Sequence, residues 1–244
     1  MTKTITLICA LTVSALLAGC GSGGGSSYKP KAVDKAAPLT PIAGGQEASL
    51  MPLTLGNEWV YESSIVLQQG GQQATNQTDV TFKIVKTIPG ADGTKGVLEI
   101  KTAEGQPERQ TWLANPKGIY QVSAGSGNSL PFTPAQPAVT FPIEKGRVIT
   151  WMGTGLLPGG GRGASKLTQT ILAEQEVDTA MGRMVAYPVE TRQTWGTGAT
   201  AGQSASTVWW VPGTGIVRFR QEIVTGQASA VQVLRIKSKS LKGS

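Results

Sequence analysis

The chain has no histidine in its 244 residues. That excludes Ser-His-Asp and Cys-His catalysis, imidazole metal ligands and an imidazole pH switch. Cysteine is almost as scarce, with only Cys9 and Cys20. Charged residues make up 15% and aromatics 6%, so the charged share is well below the usual ~25%. No apolar run reaches the ~20 residues of a membrane-spanning helix. No Gly-Lys-Ser/Thr triplet occurs, which rules out a P-loop. Glycine is plentiful, at 32 residues against a usual ~7%, and the formal charge is +7. The length suits one or two domains with a thin core.

The N-terminus reads as an address. Lys3 precedes an apolar run from Ile5 to Leu17, which ends in Leu17-Ala18-Gly19-Cys20. A short apolar run behind one positive charge and ahead of small residues is an export signal, not a span. The last four residues resemble the lipobox of bacterial lipoproteins. The resemblance implies that Cys20 takes a diacylglycerol, that residues 1–19 are cut away, and that the new N-terminus is acylated. Two or more acyl chains hold a protein stably to a bilayer, whereas one does so only marginally. Cys9 leaves with the signal, so the mature chain carries one thiol and no internal disulfide. Gly21 follows Cys20 where an inner-membrane retention Asp would stand. By enterobacterial-type sorting the protein would go to the outer membrane, facing the periplasm or the surface; inner against outer membrane stays open.

Residues 20–48 form a linker, Gly/Ser-rich and then Lys/Pro/Ala-rich. This composition buries too little apolar surface to order itself, and as a flexible tether it spans roughly 30 Å. From residue 49 to 237 the pattern changes to period two. Trp59, Tyr61, Ile65 and Leu67 share one face, opposite Glu62, Ser64 and Gln68. Val80, Phe82 and Ile84 alternate with Thr81 and Lys83, and Val217 and Phe219 with Arg218 and Arg220. Such alternation marks an antiparallel sheet with one wet face. Turns are expected at 89–93, 115–118 and 212–215, where Pro, Gly, Asn and Asp cluster. Lys166 to Val177 reads as one strand, and Gly125 to Pro137, with three prolines, as a long loop. Residues 238–244 form a basic tail. Pro52-Leu53-Thr54-Leu55-Gly56 before Trp59 echoes Pro142-Ile143-Glu144-Lys145-Gly146 before Trp151, 90 residues on. Each Pro and Gly would start a long strand that buries a tryptophan.

Four segments carry a second resemblance: Pro52 to Tyr61, Pro142 to Trp151, Val177 to Gly182, and Trp210 to Val217. Their order is similar to a group of secreted bacterial β-rich proteins of unknown function, broadly like lipoprotein-carrier half-barrels. The resemblance implies an all-β, curved antiparallel sheet: a half-barrel, an open barrel or a sandwich. It supplies turn and core signatures and no catalytic residues.

Little else points to chemistry. Glu174, Glu176 and Asp178 would share a strand face, but no ligating loop accompanies them, so they read as a solvated face rather than a Ca²⁺ site. Gly159 to Ala164 matches G-x-G-x-x-A without the following helix that a dinucleotide site needs. Arg235, Lys237, Lys239 and Lys242 lack the interleaved aromatics of a nucleic-acid surface. No catalytic, metal or cofactor residues are assigned, and neither an enzyme nor nucleic-acid binding is expected. Trp59, Trp112, Trp151 and Trp195 read as core. Trp209 and Trp210 are strand neighbours and point to opposite faces; Trp210 reads as structural, and Trp209 as an exposed contact for a ligand or partner. The expected partners are the bilayer, through Cys20, and either an apolar, lipid or glycolipid ligand held in the sheet's concavity or an envelope protein docked on it.

Overall fold

The computed structural model describes residues 50–242, apart from 104, 127, 128, 159, 199, 200 and 227. The export signal, Cys20 and the 21–48 linker lie outside the described residues. Among the described residues the regular elements are strands. They are β1 (Glu58–Gln69), β2 (Gln72–Gly90), β3 (Gly93–Thr102), β4 (Glu108–Asn115), β5 (Gly118–Ser126), β6 (Leu130–Thr140) and β7 (Val148–Leu156). Then follow β8 (Arg162–Ile171), β9 (Gln175–Thr179), β10 (Gly182–Trp195), β11 (Gly202–Val211), β12 (Gly215–Thr225) and β13 (Ala228–Ser240).

Each strand from β1 to β8 is antiparallel to the next. β10 pairs with β8 and β11, and β13 returns to pair along all of β1. The sheet is all-β and antiparallel as expected, but it closes into a twelve-stranded barrel instead of remaining a half-barrel. β9 pairs only with β10 and stands outside the ring. Closure removes both unpaired edges that an open sheet would leave.

Alternation decides what the barrel encloses. Inward-facing Trp59, Phe82, Ile100, Trp112, Ile119, Val139, Val189, Trp210 and Leu234 build the main apolar cluster. The lead-in residues Leu50, Met51 and Leu53 join it. Gly96 leaves the space for Leu53, since a Cβ there would lie 2.9 Å from a Leu53 methyl. Many outward positions are charged or polar, with apolar exceptions such as Val148 and Met152 on β7. Glu58–Lys83 (3.1 Å), Glu99–Lys101 (2.8 Å), Glu99–Arg109 (3.1 Å) and Glu190–Arg192 (2.8 Å) form ion pairs along them. The lysine and arginine beside Glu99 hold its carboxyl below the usual range.

The echo in the sequence is a structural repeat. Asn57 N–H donates to Thr54 O and Arg147 N–H to Glu144 O, both at 3.1 Å. Gly56 N–H donates to Ile84 O and Gly146 N–H to Ile171 O, both at 2.8 Å, while Ile84 and Ile171 donate back to Asn57 O and Arg147 O. Asn57 Nδ2 and Arg147 Nη1 each close the turn on a proline carbonyl, Pro52 O and Pro142 O, at 2.8 Å. The glycines hold φ of 87° and 83°, a region that favours Gly. The two tryptophans are not equivalent: Trp151 lies nine residues after its proline, as Tyr61 does, and Trp59 lies seven. The barrel is thus two six-stranded halves, β1–β6 and β7–β13, with β9 added to the second.

Three boundaries differ from expectation. Pro131, Pro134 and Pro137 lie in β6 and not in a loop, because β5 pairs with this strand across two register shifts. The 166–177 segment breaks at 172–174, where Leu172 N–H turns to Pro188 O. β13 continues to Ser240, so the expected basic tail begins as strand, at 238–240; Lys239 Nζ donates to Gly213 O, and Lys242 N–H to Asn57 Oδ1.

Candidate functional site

All six tryptophans are buried, which corrects the expectation of an exposed Trp209. Trp210 points into the barrel and Trp209 out of it, as alternation requires. β9 covers the outward ring: Trp209 Nε1 donates to Gln175 Oε1 at 2.9 Å, and the Arg218 guanidinium lies 4.9 Å from the ring centroid. Glu176 and Asp178 both pair with Arg183 on the exposed side of the same hairpin, at 3.4 and 3.0 Å. Glu174 precedes that strand. Gly160 and Gly161 belong to the β7–β8 connection, and β8 begins at Arg162 where a dinucleotide fold needs a helix; Gly159 lies outside the described residues. Two of the four resemblance segments, Pro52 to Tyr61 and Trp210 to Val217, meet in the structure. Trp59 Nε1 donates to Thr214 O (2.6 Å) and Tyr61 Oη to Ile216 O (2.8 Å), tying β1 to the 212–215 turn. Burial pushes the Tyr61 phenol far above its usual range.

The unexpected feature is inside. Seven glutamines are buried: Gln110, Gln121, Gln136, Gln169, Gln193, Gln221 and Gln232. Register sets many of the inward polar side chains side by side. Gln232 pairs with Gln221, Gln221 with Ser206, Ser206 with Thr191, and Thr191 with Gln169, across β13, β12, β11, β10 and β8. In the other half Gln121 pairs with Gln136. This polar band lies between the main apolar cluster and two small ones, around Trp151 and Trp195.

A cavity opens along the band. Gln121, Gln136, Gln169, Gln193 and Gln221 line it together with Trp112, Trp210 and Phe219. It has about 60 Å³ of room for the centres of water molecules. One water needs roughly 10–15 Å³ on that measure, so the space takes a handful of waters or a ligand group of that size. No titratable side chain lines it. Gln136 Oε1, Gln169 Oε1, Gln221 Oε1 and both polar atoms of Gln232 are buried and make no hydrogen bond within the chain. Each buried polar group left unmatched costs about 1–3 kcal/mol. Water in the cavity, or a ligand carrying its own donors and acceptors, would meet those of Gln136, Gln169 and Gln221, which line it.

The sequence carried a sign of this band. Gln169 stands between Leu167 and Ile171, Gln221 between Phe219 and Ile223, and Gln232 between Ala230 and Leu234, always two residues from each. A glutamine flanked at i±2 by apolar residues shares their inward face.

No family model matches the chain, and no curated protein matches it. Among solved structures it is similar to a candidate exported protein with a YmcC-like fold from Bacteroides fragilis, at 12% identity and TM-score 0.46, covering 79% of this chain and 99% of that one. It is also similar to a candidate lipoprotein from Parabacteroides distasonis, at 10% identity and TM-score 0.48, covering 77% and 96%. A third is the hypothetical lipoprotein YmcC from Escherichia coli, at 12% identity and TM-score 0.39, covering 72% and 87%.

Proposed function

We propose that this chain is a lipid-anchored protein of the bacterial cell envelope whose barrel binds a neutral, hydrogen-bonding ligand without transforming it. The observation that carries the reading is the band of buried glutamine carboxamides with unmatched polar atoms. The lining moves the expected ligand from apolar to hydroxyl- or amide-bearing, and the absence of titratable groups along it favours binding over acid–base chemistry. Tryptophan fluorescence and calorimetry with glucose, N-acetylglucosamine and palmitate test this. A response to the neutral polar solutes is expected, lost in Gln221→Leu while the melting temperature stays level or rises by the equivalent of about 1 kcal/mol. A response to palmitate alone would overturn the polar reading.

Anchoring rests on the lipobox-like sequence. Cys20→Ser cannot form the thioether, so the variant should remain uncleaved or leave the membrane fraction. Wild-type retention without uptake of labelled palmitate would sink the lipoprotein reading.

The docking alternative is favoured by Val148 and Met152, 59% and 66% exposed on the outer face of one strand, β7. A protein that co-purifies with the wild type and is lost in Met152→Glu would support it.

A further inference from the structure

The two halves of the barrel meet at two seams, and the seams are unlike. Where β13 meets β1, every residue of β1 has a partner, from Glu58↔Ser240 to Gln69↔Ala228. Where β6 meets β7, the ladder has one pair, Thr133↔Thr154. The difference is in the sequence. β6 has prolines at 131, 134 and 137, and β13 has none. Proline has no N–H to give to a ladder. Beyond the single rung the seam is held from inside by side chains: Phe132 of β6 packs on Gly155 and clusters with Trp151 and Leu156 of β7, and one hydrogen-bonding side chain bridges it. Gln169 Nε2, on β8, reaches past β7 to Pro137 O at 2.8 Å and Ala138 O at 3.2 Å on β6, with Thr191 Oγ1 at 3.3 Å. The polar cavity touches this place: its wall includes Gln136, Pro137 and Ala138 of β6 and then Gln169 of β8, with no β7 residue between.

We propose that the β6–β7 seam is a lateral entrance to the glutamine-lined interior, with Gln169 as its latch. This rests on the binding reading above and adds the route and its control. The prolines hold β6 out of a ladder that would otherwise seal the wall, as it does at the pseudo-equivalent seam. A ligand with its own donors and acceptors can replace the Gln169 bonds to Pro137 O and Ala138 O as it passes, so opening leaves no carbonyl bare. Ladder hydrogen bonds elsewhere in the ring would have to be broken in long runs for the same access.

The test places a thiol inside and asks what limits its reaction with iodoacetamide, a small neutral carboxamide. The full chain carries Gln221→Cys, with Thr133→Cys and Thr154→Cys added across the single rung. Antiparallel partners lie about 4.5–5.5 Å apart at Cα, within disulfide reach. Oxidising that pair should slow alkylation at position 221 at least tenfold, reversibly on reduction. The same staple across the zipped seam, Ser64→Cys with Val233→Cys, should leave the rate unchanged. Gln169→Leu in the Gln221→Cys background should speed alkylation severalfold at an unaltered far-ultraviolet spectrum. If the Leu variant fails to fold, the two staples still decide. Equal rates with the β6–β7 staple open and closed, or equal slowing by both staples, would overturn the entrance. So would a thiol that reacts only in denaturant. None of these results depends on a ligand, so the entrance can fail while glucose or N-acetylglucosamine still binds, and the reverse.

Discussion

Trp209→Ala and Trp210→Ala should each destabilise the barrel by about 3–5 kcal/mol, the range for deleting a buried large aromatic. Strand alternation alone assigns such a loss to one of two neighbours and under ~1 kcal/mol, the usual surface value, to the other. The structure removes that asymmetry. Trp210 is fully buried in the main apolar cluster, facing Ile216 across the β11–β12 bulge. Trp209 is 8% exposed because β9 folds back over the outer surface and the Arg218 guanidinium lies over its ring. Removing Trp209 also leaves Gln175 Oε1 without its indole donor. Denaturant titrations should shift the midpoint for both variants with little change in slope. Trp209→Phe keeps the cover and loses only the hydrogen bond, so it should cost about 1 kcal/mol. A small loss for Trp209→Ala beside a large one for Trp210→Ala would mean that β9 does not seal this face.

The strands were legible because one face of each is buried and the other wet, which period two records directly. The turns at 89–93, 115–118 and 212–215 were legible because Gly and Pro supply their backbone geometry locally. β6 was not: three prolines read as a loop, and only pairing with β5, through partners such as Tyr120↔Pro137, makes it a strand. Closure was hidden for a related reason. The β13–β1 ladder joins residues more than 150 positions apart, and no local pattern announces that two edges will meet. The cover over Trp209 depends likewise on a five-residue strand, β9, folding outside the ring.

The candidate site was hidden because its residues are polar. Polar residues in a strand are assigned to the wet face, yet Gln169, Gln221 and Gln232 share parity with the apolar residues around them. Once the sheet closes, that parity is the interior. Trp209 is a separate case: at Trp209 and Trp210 both faces of β11 are covered, the inner one by the barrel's contents and the outer one by β9, while Gln203 and Ala205 farther along the outer face are exposed. The lipobox-like segment bears on location only, and the interior bears on chemistry. Neither could be inferred from the other.

Gly118→Ala should be as damaging as losing a core tryptophan, about 3 kcal/mol or more, although it adds one methyl group. Gly118 opens β5 directly after the 115–118 turn, with φ at 153°. A Cβ on its backbone would lie 2.4 Å from Val139 O and 2.9 Å from Thr140 Cα. Both are backbone atoms of β6, so no side-chain rotation relieves the overlap, and the β5–β6 register must shift. Overpacking of this kind typically costs 1–3 kcal/mol and strained backbone about as much again. Gly70→Ala separates the two contributions. Gly70 lies in the β1–β2 turn at φ 57°, with nothing within 4 Å of the added methyl. It should lose only the ~1–2 kcal/mol of a left-handed conformation. Thermal melts should therefore show a drop several degrees larger for Gly118→Ala than for Gly70→Ala, at 2–4 °C per kcal/mol for roughly this size of domain. Hydrogen exchange should place the added loss in β5 and β6. Equal drops would mean that β6 can move away from β5 without penalty, and the proline-rich strand would then owe its position to something other than that ladder.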